Sequence, residues 1–293
     1  MIIDGKKVAQ DIQQEIKEFV NTCRGRQPCL AVILVGEDPP SKIYIRRKTQ
    51  ACEESGIRSI KIELPPETGE KKLLATIHSL NSDPKVDGIL VQLPLPKHIN
   101  PSAITSAIDP NKDVDGFHPI NVGKMLLGES DGFLPCTPLG IRTLLERYEV
   151  KVRGQHAVII GRSNIVGKPM SALLMQDNDA ANATVTVTHR QTKNLKELCK
   201  IGDLIIVAIG KPKLVTADMI KEGAIVIDVG ISQIPDKTAK GGFRIVGDVD
   251  FNNVKDKCSL ITPVPGGVGP MTIAMLLQNT VQSYLRREGI SSA

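Results

Sequence analysis

Apolar residues in this chain come in short blocks whose period switches repeatedly between helical and strand spacing. Val8, Ile12, Ile16 and Phe19 recur at helical intervals behind Asp4, a residue suited to cap a helix N-terminus. Leu30 to Val35 is an unbroken apolar run of strand length, closed by Gly36-Glu37-Asp38-Pro39-Pro40. Ser41 is then placed to cap a second helix reaching about Ser55. Strands are expected over 59–64 and 86–91, with a helix over 67–80 between them. A helical stretch from Thr137-Pro138 to about Tyr148 connects the two halves of the chain. The alternation then resumes, with strands over 156–160, 183–188, 204–209 and 224–229 and helices over 166–175, 194–200 and 217–221. A glycine-rich turn, Pro263 to Pro270, places Pro270 at the first position of a last helix from Met271 to about Arg287. Such alternation predicts an α/β protein with parallel sheets and right-handed crossovers.

The connection after 156–160 carries the strongest local pattern. His156 to Ile160 is a β-branched, buried-type strand. Gly161-Arg162-Ser163-Asn164-Ile165-Val166-Gly167 follows, and a helix begins. Strand, glycine turn and helix is how a doubly wound sheet aims backbone N–H groups at a phosphate. The pattern departs from G-x-G-x-x-G, because Ser163 holds the middle glycine position. It also departs from G-x-S-x-G, because Ile165 replaces the last glycine, so Ser163 is not read as a nucleophile. By itself the turn fits an ordinary βα connection as well as a dinucleotide site.

Composition narrows the partners. Aromatics are 3% of 293 residues and Trp is absent, which removes the stacking platforms that single-stranded nucleic acid needs. The net charge of +5 is spread among interspersed acids and bases, a balance that suits small anionic ligands. Cysteines 23, 29, 52, 136, 199 and 258 form no C-x-x-C pair and no metal-ligand spacing, as expected of reduced thiols in a cytoplasmic protein. No apolar run is long enough for a membrane span, and neither a signal peptide nor a transit peptide is expected. No nucleic-acid or membrane partner is expected.

Three places hold polar groups that packing alone does not require. Tyr44 and Lys48 stand four residues apart on the second helix and share a face. Gln92 directly follows the strand ending at Val91, where ligands of open α/β sheets bind. Asp115 lies in the loop Asp113-Val114-Asp115-Gly116. Each has an ordinary alternative: a solvated lysine, a strand-end amide, an Asx turn.

Taken in order, Tyr44-x-x-x-Lys48, Val91-Gln92-Leu93-Pro94-Leu95-Pro96, Lys112-Asp113-Val114-Asp115-Gly116, Pro135-Cys136-Thr137-Pro138, Gly161-Arg162-Ser163 with Val166-Gly167, and Pro263 to Thr272 resemble one family nearly end to end. It is the bifunctional methylenetetrahydrofolate dehydrogenase/methenyltetrahydrofolate cyclohydrolase family of the bacterial type. The resemblance implies two α/β domains: a folate-binding catalytic domain over 1–140, joined by the C-terminal helix 271–293, and a Rossmann-like NADP-binding domain over 141–270. It implies that Lys48 is the acid/base group, with Tyr44 shaping the folate pocket, Gln92 hydrogen-bonding Lys48 and Asp115 binding the pterin edge. Leu93, Pro94, Pro265, Gly266, Gly267 and Thr272 are then substrate-binding. Gly161, Arg162 and Ser163 hold the cofactor phosphates, with Arg190 at its adenosine end and Ile231 at its nicotinamide. The resemblance also implies tetrahydrofolate derivatives as partners, and a homodimer.

Cofactor choice has an argument in the residues themselves. NAD enzymes place an acid after the second strand to bind the ribose 2′-hydroxyl. Here His189-Arg190 follows that strand, and a cation there suits the 2′-phosphate of NADP. Two other readings compete: an amino-acid or shikimate type of NADP dehydrogenase, and a folate-binding protein without catalysis. The first has no use for Tyr44, Lys48, Gln92 and Asp115 together.

Overall fold

Asp4 caps the first helix, accepting the Lys7 N–H on Oδ1 at 3.0 Å. The computed structural model of the protein describes residues 1–23, 25–238 and 241–290. The last three positions of the expected 271–293 segment lie outside the described residues.

In chain order the helices are α1 (Gly5–Thr22), α2 (Pro39–Glu54), α3 (Glu70–Ser82), α4 (Pro101–Ala107), α5 (Pro119–Leu127), α6 (Cys136–Arg147), α7 (Gly167–Leu174), α8 (Leu195–Lys200), α9 (Phe251–Val254) and α10 (Val268–Glu288). The strands are β1 (Cys29–Val35), β2 (Arg58–Leu64), β3 (Gly88–Val91), β4 (His156–Ile160), β5 (Thr184–Thr188), β6 (Leu204–Val207), β7 (Ile225–Asp228), β8 (Ser232–Pro235), β9 (Phe243–Val246) and β10 (Leu260–Ile261).

By packing, the described residues divide into two compact units. One comprises Met1–Ala9 and Thr137–Thr272, the other Gln10–Cys136 with the chain from Ile273 onward. The second of these is built on a parallel sheet of order β2-β1-β3. Every residue of β1 is buried, which is why its sequence is apolar without alternation: helices cover both faces of a central parallel strand. Ala31, Ile33, Ile89 and Val91 pack against Leu73 and Ile77 of α3 and Ile104 of α4. The other unit holds a parallel sheet of order β10-β7-β6-β4-β5 and the antiparallel pair β8–β9. Relabelled within that sheet, the order is 2-1-3-4-5, a doubly wound topology. The chain leaves β4 toward β5 on one side, then returns to β6 on the other. The switch point therefore lies at the carboxyl ends of β4 and β6.

Several element boundaries differ from the sequence expectation, each for a local reason. α2 begins at Pro39 because Asp38, not Ser41, is its cap: Asp38 Oδ2 accepts both the Ser41 N–H at 3.0 Å and the Ser41 hydroxyl at 2.6 Å. Pro39 and Pro40 then occupy first-turn positions that need no N–H. α10 begins at Val268, ahead of the expected start at Met271, so Pro270 is its third residue and still within the turn whose N–H groups lack intrahelical partners. α4 and the β8–β9 pair were not anticipated. They are too short for a period to emerge, and α4 starts only because Asn100 Oδ1 accepts the Ser102 N–H at 2.9 Å.

The last helix is bonded into the N-terminal sheet unit, as the resemblance implied. Ser283 Oγ donates to the carbonyls of Asp87 (2.7 Å) and Asn111 (2.8 Å). Asp87, fully buried, accepts two bonds from Arg26 at 2.6 Å each and the Cys29 N–H at 2.9 Å, with the Arg287 Nε at 3.4 Å. Arg26 also stacks on the Tyr284 ring of α10 at 5.0 Å. Asp87→Ala is expected to lower stability by about 1–3 kcal/mol, since it leaves the buried Cys29 N–H unpaired and removes two of the Arg26 bonds, while Arg26 keeps Glu288 at 2.9 Å. Urea unfolding measures this, and a loss below about 1 kcal/mol would mean water replaces the carboxylate.

Candidate active site and cofactor-binding edge

α2 presents Tyr44 and Lys48 one turn apart on one face. Lys48 is half-buried and donates from Nζ to Gln92 Oε1 at 3.0 Å. Gln92 is held on both sides of that bond. Its backbone N–H continues the sheet to Ile33 O at 2.9 Å, and its Nε2 donates to Leu93 O at 2.7 Å. The amide therefore has one free choice of orientation, with its oxygen toward the lysine. Leu93 and Pro94 follow, exposed, through a cis peptide bond. The Tyr44 hydroxyl has no hydrogen-bond partner among the described residues.

The loop carrying Asp115 shows which of its polar residues are structural. Lys112 is fully buried and closes the end of α3, donating to Leu80 O, Asn81 O and Asp83 O at 2.7–2.8 Å. Burial lowers its pKa from the usual lysine value. Asp113 accepts the His118 N–H at 2.7 Å and the Asn121 side chain at 2.9 Å, which fixes the start of α5. Burial raises its carboxyl to about 6. Gly116, at φ +78, lies against the Leu134–Pro135 peptide, where a side chain has no room. Asp115 closes neither helix end. Burial raises its pKa, and the nearby Lys48 charge and a Cys136 contact act against that rise. Lys48, Gln92 and Asp115 thus form one electrostatic group. Asp115 also lines a pocket whose apolar wall includes Val91, Leu93 and Phe117.

Cys136 and Asn279 are functional supports that the sequence reading passed over. Cys136 Sγ donates to Val114 O at 3.3 Å, and Asn279 Nδ2 of α10 donates to Val114 O at 2.8 Å and Leu134 O at 3.1 Å. Both brace the peptide next to Asp115. Burial beside that carboxylate holds the Cys136 thiol well above the usual range, so it is inert. The only signal in the sequence was the motif containing Cys136; nothing marked Asn279.

In the other unit, the turn after β4 has the form of a phosphate cradle. Gly161 sits at φ +128, where a Cβ would collide with the Ala208 carbonyl at the end of β6. A Cβ on Gly167 would in turn collide with the Gly161 carbonyl, which explains the second glycine. Ser163 Oγ accepts the Val166 N–H at 3.1 Å, a turn-closing role that accords with its not being a nucleophile. Arg162 is exposed and forms no ion pair among the described residues. After β5, His189 and Thr192 close a tight turn: His189 N–H donates to Thr192 Oγ1 at 2.9 Å and Thr192 N–H to His189 O at 2.8 Å. Arg190 projects from it, exposed and likewise unpaired among the described residues. Ile231 is half-exposed beyond β7, near Gly269. These features fit a dinucleotide: glycines admit the phosphates and two free cations stand ready for them.

By packing, the turn Pro265–Gly266–Gly267 and Thr272 belong to the unit that holds β4. Gly266 O accepts the Lys6 N–H at 2.9 Å, Gly267 packs on Gly5, and Thr272 Oγ1 pairs with Thr137 Oγ1 at 2.9 Å. The structure brings Lys48, Gln92 and Asp115 together and, separately, the residues of the β4 and β5 edge. The loop over 176–182 ends in a turn closed by Asn182 N–H to Gln176 O.

Comparison with known proteins matches two segments of the chain. Residues 3–115 match the catalytic domain of tetrahydrofolate dehydrogenase/cyclohydrolase, and residues 135–288 match its NAD(P)-binding domain. The bifunctional protein FolD of Protochlamydia amoebophila is 64% identical over 99% of this chain and 100% of its own. The crystal structure of the bifunctional FolD enzyme of Campylobacter jejuni is 52% identical, with a TM-score of 0.92 over 98% of this chain and 99% of that one. The Trypanosoma brucei dehydrogenase-cyclohydrolase, solved with NADP cofactor and inhibitor, is 38% identical with a TM-score of 0.92 over 98% and 97%. On these matches, which span the whole length and both halves, the chain belongs to the tetrahydrofolate dehydrogenase/cyclohydrolase family.

Proposed function

We propose that the protein oxidises 5,10-methylenetetrahydrofolate to the 5,10-methenyl form with NADP and then hydrolyses that product to 10-formyltetrahydrofolate. The observation that carries this reading is the Lys48–Gln92 bond beside Asp115, a positioned proton donor and acceptor at the carboxyl end of β3. Residues 1–140 with the last helix are assigned to folate, and 141–270 to NADP.

The chemistry asks little of the protein in the first step. The substrate carbon lies between two nitrogens whose lone pairs stabilise the cation left when hydride departs, so orientation is the main task. NADP, when bound, supplies the hydride acceptor. Gly161, Arg162 and Ser163 are assigned to its phosphates, Arg190 to its 2′-phosphate and Ile231 to its nicotinamide end. Asp115 anchors the pterin edge. Tyr44, Leu93 and Pro94 shape the folate pocket, and Pro265, Gly266, Gly267 and Thr272 are assigned to substrate binding. In the second step water adds to the methenyl carbon and the ring opens. Lys48, oriented by Gln92, holds and returns the proton that this exchange moves. A shikimate-type dehydrogenase has no use for that lysine–amide–carboxylate group. A protein that only bound folate would not need a proton donor held by an amide itself fixed at two points.

Incubation with methylenetetrahydrofolate and NADP, following NADPH and the methenyl chromophore, tests the reading. NADPH formation with transient methenyl absorbance is the expected result; the absence of both signals would overturn the reading. Asp115→Ala should raise the folate dissociation constant about tenfold and depress both activities together, as loss of one hydrogen bond to a charged group does. Reduced thermal stability with unchanged folate affinity would instead make Asp115 a turn residue. No helix among the described residues is long and apolar enough to cross a membrane. We further propose a cytoplasmic homodimer, checked by light scattering.

A further inference from the structure

We propose that Asp248, with Asp228, is a positioning residue for the nicotinamide-bearing end of the cofactor, acting through the two loops that follow β6 and β7. The inference rests on the NADP assignment above. Asp248 is fully buried, and its Oδ2 accepts the N–H groups of Ile209 at 2.9 Å and Gly210 at 2.8 Å, in the loop beyond β6. Its Oδ1 is buried with no hydrogen-bond partner among the described residues. The same carboxyl lies against Gly230, two residues beyond β7, where any Cβ would collide with it. Gly230 is held from its other side: its N–H donates to Asp228 Oδ1 at 2.9 Å, which also accepts the Asp248 N–H at 3.0 Å. Asp228 Oδ2 takes the Val249 N–H at 2.9 Å. Two buried carboxylates therefore tie the loop beyond β6 to the loop beyond β7.

That arrangement is costly for a purely structural join. Two carboxyl groups are buried side by side, and one of their oxygens has no partner among the described residues. Its location gives the reason. In the order β5-β4-β6-β7, phosphates at the β4 turn and an adenosine at Arg190 beyond β5 leave one direction for the rest of the dinucleotide. That direction runs over the ends of β6 and β7. Gly210 and the half-exposed Ile231, next to Gly230, form the backbone floor there, and Asp248 sets the spacing between them.

The test is equilibrium titration of NADP and of 2′,5′-ADP, which carries only the adenosine half, beside cyclohydrolase assays without cofactor. Asp248→Ala should weaken NADP binding about tenfold, the scale of hydrogen bonds to a charged group, while 2′,5′-ADP binding and cyclohydrolase kcat and KM stay within about twofold. Asp248→Asn retains an acceptor oxygen for Ile209 and Gly210 and should restore NADP binding to within about threefold of the parent. If Asp248→Ala does not fold, Gly230→Ala displaces the carboxylate from the opposite side and should give the same selective loss. NADP binding unchanged in the folded variants, or NADP and 2′,5′-ADP weakened in parallel, overturns the proposal. Arg190→Ser, measured alongside, separates the two readings. If it weakens NADP while Asp248→Ala does not, only the present inference fails; if neither does, the cofactor assignment fails as well.

Discussion

Lys48→Arg is expected to reduce cyclohydrolase turnover by about 10²–10⁴-fold, the usual contribution of a positioned acid or base, while dehydrogenase activity remains measurable. The two steps differ in what they ask of the protein. Hydride departure is assisted by the substrate's own nitrogens, whereas hydration and ring opening move protons that the protein must hold. Arginine at this position can still donate toward Gln92 Oε1, the bond Lys48 makes at 3.0 Å, and can still place a cation near Asp115. It cannot release its proton at neutral pH. Methenyltetrahydrofolate should therefore accumulate. Parallel initial rates from methylene and methenyl substrates, with folate affinity measured separately, decide the matter. Equal losses in both rates at unchanged affinity would show that the hydride step needs Lys48 too, and full cyclohydrolase activity would remove it from the mechanism.

Arg190→Ser should raise the KM for NADP by about 10–100-fold, as expected for loss of a charge-assisted contact to a phosphate, and change that for NAD by less than about threefold. The turn between His189 and Thr192 is closed by its own hydrogen bonds, so removing the guanidinium should leave the backbone in place. No acid stands in that turn to accept a ribose 2′-hydroxyl, and Arg190 has no partner among the described residues that would compete for its charge. Comparison of the two cofactors under identical folate saturation is the measurement. An equal effect on both would mean that Arg190 serves the fold or the common part of the dinucleotide.

The sequence by itself determined the alternation of strands and helices, because apolar period and turn residues are local properties. Strand β4 is found where its β-branched run predicts it, and the Gly161 turn follows directly. The six motifs also marked Tyr44, Lys48, Gln92 and Asp115 before any contact was known. Asp38 and Ser41, by contrast, are both good caps three residues apart, and only the geometry of the Asp38 carboxylate decides between them. In Lys112-Asp113-Val114-Asp115-Gly116 three charged residues look alike in sequence. Tertiary structure gave Lys112 to the end of α3 and Asp113 to the start of α5, and set Asp115 beside Lys48 and Cys136. Asn279 lies 165 positions from its partner Val114, and Asp248 lies 38 from Gly210, so no local pattern links them. Their roles are set by burial and by which backbone groups lack partners once the sheets have formed. Those quantities exist only when distant segments meet.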